Sequence, residues 1–219
     1  MSMPSAVAPE TVRSLSVAMR EDSRSEHDAA EQSSFMSELL SGRVNSQGYV
    51  DYLLRLRAVY RTLEETVRAR QADPLVAAFY DPMLERLATI DADLDHWAPG
   101  AARDVDSPAA RAYCTRITES AWGGALVAHH YTRYLGDLSG GQAIGRVLDR
   151  AFDLQGDGLS FYQFPMRAKP YKDAYRARLD GLGLDLDDID RVVDEVKVAF
   201  ALNQALFDEL TANLPAYRR

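Results

Sequence analysis

Apolar side chains recur along this chain at steps of three and four, the period of a helix face. Pro9 suits a first helical turn, and Val12, Leu15, Met19, Ser23, His27 and Ala30 then share one face. "SSFMSELLSG" predicts a short helix closed by Gly42. From Ser46 to about Ala72, Tyr49, Tyr52, Leu53, Leu56, Tyr60, Leu63 and Val67 form a second stripe. "DPLVAAFYDP" predicts a turn of helix between prolines, and Asp81 is placed to cap a helix running through Ile90. Residues 91–108 break the pattern with acids, Pro and Gly, and read as a surface loop with some helical turns. A helix is expected from about Ser107 to Ser120, a "WGG" interruption, and then a glycine-rich helix. "QGDGLSFYQF" reads as a loop with an aromatic end, and "KPYKDAYRARLDGL" as helical after Pro170. Asp185 caps the last helix, whose buried stripe is Ile189, Val192, Val193, Val196, Phe200, Asn203, Phe207 and Leu210. No strand pattern competes. The expected fold is all-α, one domain over residues 1–219 with about eight helices, residues 1–8 forming a flexible tail.

One stretch conflicts with its own helical flanks. "YLGDLSGGQAIG" places Gly136, Gly140, Gly141 and Gly145 around Asp137. Each glycine costs a helix interior about 1 kcal/mol relative to Ala. Two readings compete. Gly136/Gly140 and Gly141/Gly145 are G-x-x-x-G pairs, which let helices pack closely. Alternatively, bare backbone forms the wall of a ligand site, and the adjacent glycines permit a kink.

Composition narrows the classes. A formal net charge of -8 argues against a nucleic-acid binder. With 47% hydrophobic and 26% charged residues, the chain is globular rather than disordered. Cys114 is its one cysteine, so no intrachain disulfide or cysteine metal site forms, and a reducing cytoplasm is expected. No signal-peptide pattern and no long apolar run is present, so membrane insertion is not expected.

There are four histidines, and a lone histidine usually packs or solvates. His129 and His130 are adjacent, so on a helix they point apart and cannot chelate one ion together. His27 differs in its neighbours. Ser23 and Ala30 on its face are small and leave room for a broad, flat group. Glu31, four residues on, could orient the ring, as carboxylates do for metal-bound histidines. Arg24 lies one turn before it, and Arg20 two turns, roughly 10 Å, before, within reach of carboxylates on a large planar cofactor. A histidine helix facing a glycine helix would sandwich such a cofactor.

On these residues the chain resembles a heme oxygenase of the soluble bacterial type. "EHDAAEQSSFMSELL" is similar to the family's proximal helix, with its iron-ligating histidine falling on His27, and "ALVAHHYTRYLGDLSGGQ" resembles the distal signature. "FYQF", "KPYKDAYRARLD" and "AFALNQALFDEL" resemble later segments in the same order, so that the likeness runs from about Thr11 to Leu210. The resemblance implies heme b, as cofactor and substrate, between the two helices. It implies cleavage at a meso carbon, with preference for the α carbon, to biliverdin, carbon monoxide and ferrous iron. Dioxygen and electrons from an external ferredoxin or flavoprotein reductase would be required.

By the same resemblance, Gly136, Gly140 and Gly141 approach the heme and its bound oxygen, and Asp137 orders distal water. Arg133 and Tyr131 fall in the distal network and near the heme edge, Lys172 and Arg176 near the propionates, and Phe200 and Asn203 on the pocket side of the last helix. Arg20 stands where a lysine is common, which bears on ring rotation. No role is assigned to Arg55. A heme carrier is the competing reading, but it has no need for Asp137 among flexible glycines. A thiaminase-like or quinone-cofactor protein on a related all-α scaffold would leave His27, Ser23 and Glu31 without a shared purpose.

Overall fold

The structure is a computed structural model and describes residues 13–219. The expected tail, Pro9 and Val12 lie outside the described residues. Twelve α-helices follow one another in it: α1 Leu15–Asp22, α2 Arg24–Glu31, α3 Ser34–Leu40, α4 Ser46–Ala69, α5 Pro74–Phe79, α6 Leu87–Trp97, α7 Pro108–Thr118, α8 Gly123–Gly136, α9 Gln142–Phe152, α10 Ala168–Asp180, α11 Leu186–Ala212 and α12 Leu214–Tyr217. The count exceeds the expected eight because the short α5 and α12 stand as helices of their own and because two expected helices are each divided. Among the described residues β-structure is limited to one bridge, Val44 to Arg218.

Side-chain caps fix several helix starts. Asn45 accepts from the Gly48 N–H, Asp73 from Leu75, Ser107 from Ala110 and Asp185 from Asp188. Pro74 and Pro108 occupy first-turn positions that need no amide donor. Gly42, with φ +69°, ends α3 in the left-handed region that glycine adopts without strain.

The helix expected from Pro9 through Ala30 breaks at Ser23. Its backbone leaves helical geometry (φ −110°, ψ 13°), and its buried hydroxyl donates to the Met19 carbonyl at 2.6 Å. Periodicity does not reveal this break, because the three- and four-residue spacing continues across it from Met19 through Ser23 and His27 to Ala30. The expected helix to Ile90 is displaced. Pro82–Leu84 forms a single 3₁₀ turn, and α6 runs on through Trp97 into the segment read as loop. The three acids of this segment that fall in α6 are each matched by a partner. Asp91 pairs with Arg57 at 2.5 Å, Asp95 with Arg103, and buried Asp93 accepts from the Ser160 and Phe161 amides.

α8 and α11 pack along each other at the centre, with α2, α1, α3 and α7 against α11 and α4 against α6, α7 and α8. α8 is buried on all sides from Leu126 to Leu135, with no face turned to water. Its polar side chains therefore need internal partners. His129 is fully buried beside the Tyr113 ring and 3.0 Å from Glu195, close but out of line for a hydrogen bond. His130 pairs through Nδ1 with the Tyr175 hydroxyl at 2.9 Å. Both are core histidines. Arg55, unassigned in the sequence, is a core tie: its Nε donates to Glu209, which also accepts from the Ser107 hydroxyl and Ala109 amide at the start of α7.

Candidate functional site

Between α8 and α9 the chain winds wider. Asp137–Gly141 is a π-helical segment, the kink that adjacent glycines allow. It forms one wall of a cavity of about 660 Å³ whose opposite wall is α2. A Cβ added at Gly136 would meet nothing within 4 Å, and one at Gly140 only a Glu31 carboxylate oxygen at 3.9 Å. These two glycines therefore face open space, not a packed helix. Gly145 behaves differently. A Cβ there would sit 3.1 Å from the Tyr162 ring, so this glycine serves close packing. Each of the two readings of the glycine run thus applies to a different part of it.

His27 stands on the α2 side with its ring edge-to-face with Phe200, centroids 5.6 Å apart. Its Nδ1 lies 3.2 Å from Asp28 Oδ1, and its Nε2 3.6 Å from Glu31 Oε1. Met36, Leu135, Ile144, Phe200 and Phe207 give the cavity its apolar lining. Arg20, Arg24 and Arg176 supply cations at its wall. Arg176 Nε is buried without a partner, and so is the Thr132 hydroxyl. Burial raises the Tyr131 hydroxyl above its ordinary pKa, and the charges of Arg176 and Arg20, which line the same cavity, pull it back.

Asp137 begins the π segment and is buried. The Tyr60 hydroxyl on α4 donates to its Oδ2, and Arg133, one turn earlier, lies 3.7 Å from Oδ1. Arg133 also donates to the Tyr60 hydroxyl at 3.2 Å and to Asn203 Oδ1 at 2.6 Å, while Asn203 Nδ2 donates to the Ala199 carbonyl. Burial pushes the Asp137 carboxyl above its usual range, opposed by Arg133, the Tyr60 hydroxyl and Arg86. The result is a carboxyl held at the cavity wall by a closed network, with an affinity for protons greater than that of a surface aspartate.

Of the residues singled out in the sequence, Arg20, His27, Glu31, Tyr131, Arg133, Gly136, Asp137, Gly140, Gly141, Arg176, Phe200 and Asn203 all line this cavity. Ser23 and Lys172 do not. Ser23 closes the break between α1 and α2, and Lys172 donates to the Ser139 hydroxyl at 2.7 Å, tying α10 to the π segment. Tyr60, Tyr52, Thr132 and Asp28 were missed. The two tyrosines belong to the α4 core stripe, and no sequence signal separates a tyrosine that donates into a site from one that only packs.

The donor chemistry limits what fits. Among the described residues no group of three or more His, Cys, Asp or Glu could hold an ion. A metal at His27 would have to bring most of its ligands with it. A flat, largely apolar group carrying its own metal and carboxylates matches the bare glycine wall, the apolar lining and the unpartnered Arg176 nitrogen.

Comparison with known proteins points the same way. The heme oxygenase family profile matches residues 13–209. Heme oxygenase 1 of Rattus norvegicus is 38% identical over 91% of this chain and 72% of its own length. Heme oxygenase 1 of Synechocystis sp. is 34% identical over 91% of this chain and 86% of its own. The crystal structure of heme oxygenase-1 from Synechocystis in complex with heme aligns over 93% of this chain and 95% of that one, at a TM-score of 0.88 and 33% identity. The heme oxygenase of Leptospira interrogans aligns over 90% of this chain and 100% of that one, with a TM-score of 0.86 and 34% identity.

Proposed function

The chain belongs to the heme oxygenase family, and from that premise we propose how its own residues bind heme and direct its opening to biliverdin, carbon monoxide and ferrous iron. The observation that supports the reading best is the pairing of His27 on α2 with the bare glycine wall at Gly136 and Gly140 across one cavity. His27 would hold the heme iron. Arg20, Arg24 and Arg176 receive the propionate carboxylates, with Tyr131 beside them. Bound heme supplies both the oxygen-binding metal and the carbon that is oxidised.

The protein's part is to orient, exclude water and handle protons. The glycines leave room on the distal side for a small ligand. Asp137, fixed by Tyr60 and Arg133, holds water and passes protons toward that space. Arg133 and Asn203 keep the carboxyl aimed, and Phe200 limits rotation of the His27 ring. Dioxygen enters on the glycine side, and an external ferredoxin or flavoprotein reductase provides electrons. The α meso carbon would be the one opened. The enzyme works in a reducing cytoplasm, which suits its free Cys114; among the described residues no helix is long and apolar enough to cross a membrane.

The test is to mix the protein with hemin, a reductant and air, with catalase present. A Soret band that forms and then gives way to a biliverdin band is the expected result. A Soret band that persists would make the protein a heme carrier. His27→Ala should lose proximal ligation and regain part of its activity with added imidazole; resonance Raman showing unchanged ligation would remove His27 from its role.

A further inference from the structure

Asp180 is the last residue of α10, where a carboxylate meets the negative end of its own helix. Its partners lie on α1. Its Oδ1 accepts from the Ser16 amide at 2.7 Å, and its Oδ2 from the Ser16 hydroxyl at 2.8 Å. Ser14, at the N-cap of α1, makes no side-chain bond to that helix, so the cap comes from α10 instead. Ser16 is buried, and Asp180 reaches it from an exposed position.

The same contact has a consequence at the cavity. One turn after Ser16 stands Arg20, and one turn before Asp180 stands Arg176. Both arginines line the cavity, and the charge of each acts on the Tyr131 hydroxyl. Each has an acid partner within its own segment, Glu21 for Arg20 at 3.4 Å and Asp173 for Arg176 at 3.5 Å. Two guanidinium groups brought together repel, so another contact has to hold their helices in place. α1 packs against α11 and buries Leu15, Ala18 and Met19. Apolar packing is non-directional and does not fix where α1 stands along α10. Two hydrogen bonds to one carboxylate do.

We propose that Asp180 is a positioning residue for the cationic edge of the cavity: by holding the start of α1 against the end of α10, it keeps Arg20 and Arg176 together to receive the carboxylates of bound heme. The proposal rests on the function proposed above, which supplies heme as the ligand. Its test compares two ligands in the full chain, heme and heme dimethyl ester. The ester has the same ring and iron but no charged carboxylate. Asp180→Ala should weaken heme binding about tenfold, the scale of one charge-assisted contact. Its affinity for the ester should match that of the wild type. Removing a negative charge near an anionic ligand would by itself tighten binding, so the expected change has the opposite sign to a bare charge effect. Asp180→Asn keeps an oxygen able to accept from the Ser16 amide and should recover part of the affinity. In a chain carrying both Arg20→Ala and Arg176→Ala, Asp180→Ala should weaken heme binding no further.

Equal weakening of heme and ester would make the contact purely structural and overturn the proposal. Heme binding that is unchanged or tighter in Asp180→Ala would overturn it too. A measurement without heme separates the clamp from the function it rests on. Amide hydrogen exchange from Ala18 to Arg20 should be about tenfold faster in Asp180→Ala than in the wild type. Unchanged exchange there would show that Asp180 does not hold α1, whatever the protein binds. A wild type that takes up neither heme nor its ester would overturn the proposed function itself, and with it the role of the two arginines.

Discussion

Tyr60 on α4 donates its hydroxyl proton to Asp137 at the start of the π segment, joining the longest helix of the N-terminal half to the wall of the cavity. Arg133 contacts both groups, so three side chains from two helices share one buried charge centre. Removing the Tyr60 hydroxyl leaves Asp137 with Arg133 at 3.7 Å as its remaining side-chain partner. Tyr60→Phe should lower stability by about 1.5–3 kcal/mol, the scale of a lost hydrogen bond to a charged acceptor. It should also reduce biliverdin yield while heme affinity holds. Urea unfolding and a turnover assay on the same preparation check both; an unchanged yield would make the pair purely structural.

Asp137→Ala goes further, because it removes the group that takes up and gives out protons. The variant should bind heme through His27 with near-normal affinity. Its biliverdin yield per heme consumed should fall about a hundredfold, the low end of what a positioned acid or base contributes. Arg133 keeps Asn203 and Tyr60 as partners, so the fold should survive. Heme titration followed by turnover separates binding from chemistry, and a normal yield would return Asp137 to a structural role.

Gly140 and Gly145 should respond in opposite ways. Leu at Gly140 meets no backbone and favours helix by ~0.8 kcal/mol over Gly, so stability should hold while heme uptake drops. Ala at Gly145 must press on the Tyr162 ring at 3.1 Å, and should cost about 1 kcal/mol with heme uptake retained. Thermal melts and heme titrations of the two variants, side by side, test the division of the glycine run.

The α11 stripe from Ile189 to Leu210 was legible because one long amphipathic helix obeys one period. So was the cavity wall, because four glycines in a helical context have a cost that demands a reason. The break at Ser23 was not legible, since the helical spacing continues across it to His27 and Ala30. Nor was α6, whose acids look like loop residues until Arg57, Arg103 and the Ser160–Phe161 amides meet them from elsewhere in the chain. Long-range polar partnerships are settled by packing, and packing is what periodicity leaves out.

His130 offers a test of the core that is independent of heme. Its ring is buried between Phe79, Tyr134 and Tyr175, with Nδ1 paired to the Tyr175 hydroxyl. Burial first, and then the charge of Arg178, lower its pKa from 6.5 to about 3. Between those values the unfolded chain binds a proton that the folded chain refuses. Stability from this group is therefore complete above the unfolded pKa and is lost as pH falls toward the folded one. From about pH 7 to about pH 5.5 the loss should be roughly 1 kcal/mol. His130→Gln removes the titrating group and keeps a side chain able to meet the Tyr175 hydroxyl. It should be less stable than the wild type at neutral pH, yet lose about 1 kcal/mol less on acidification over the same interval. Urea unfolding of both proteins at the two pH values gives the double difference, in which the other titrating groups, Glu64 and Asp137 among them, largely cancel. Equal acid sensitivity in the two proteins would mean that His130 takes up its proton without unfolding, and that its pocket is open to water.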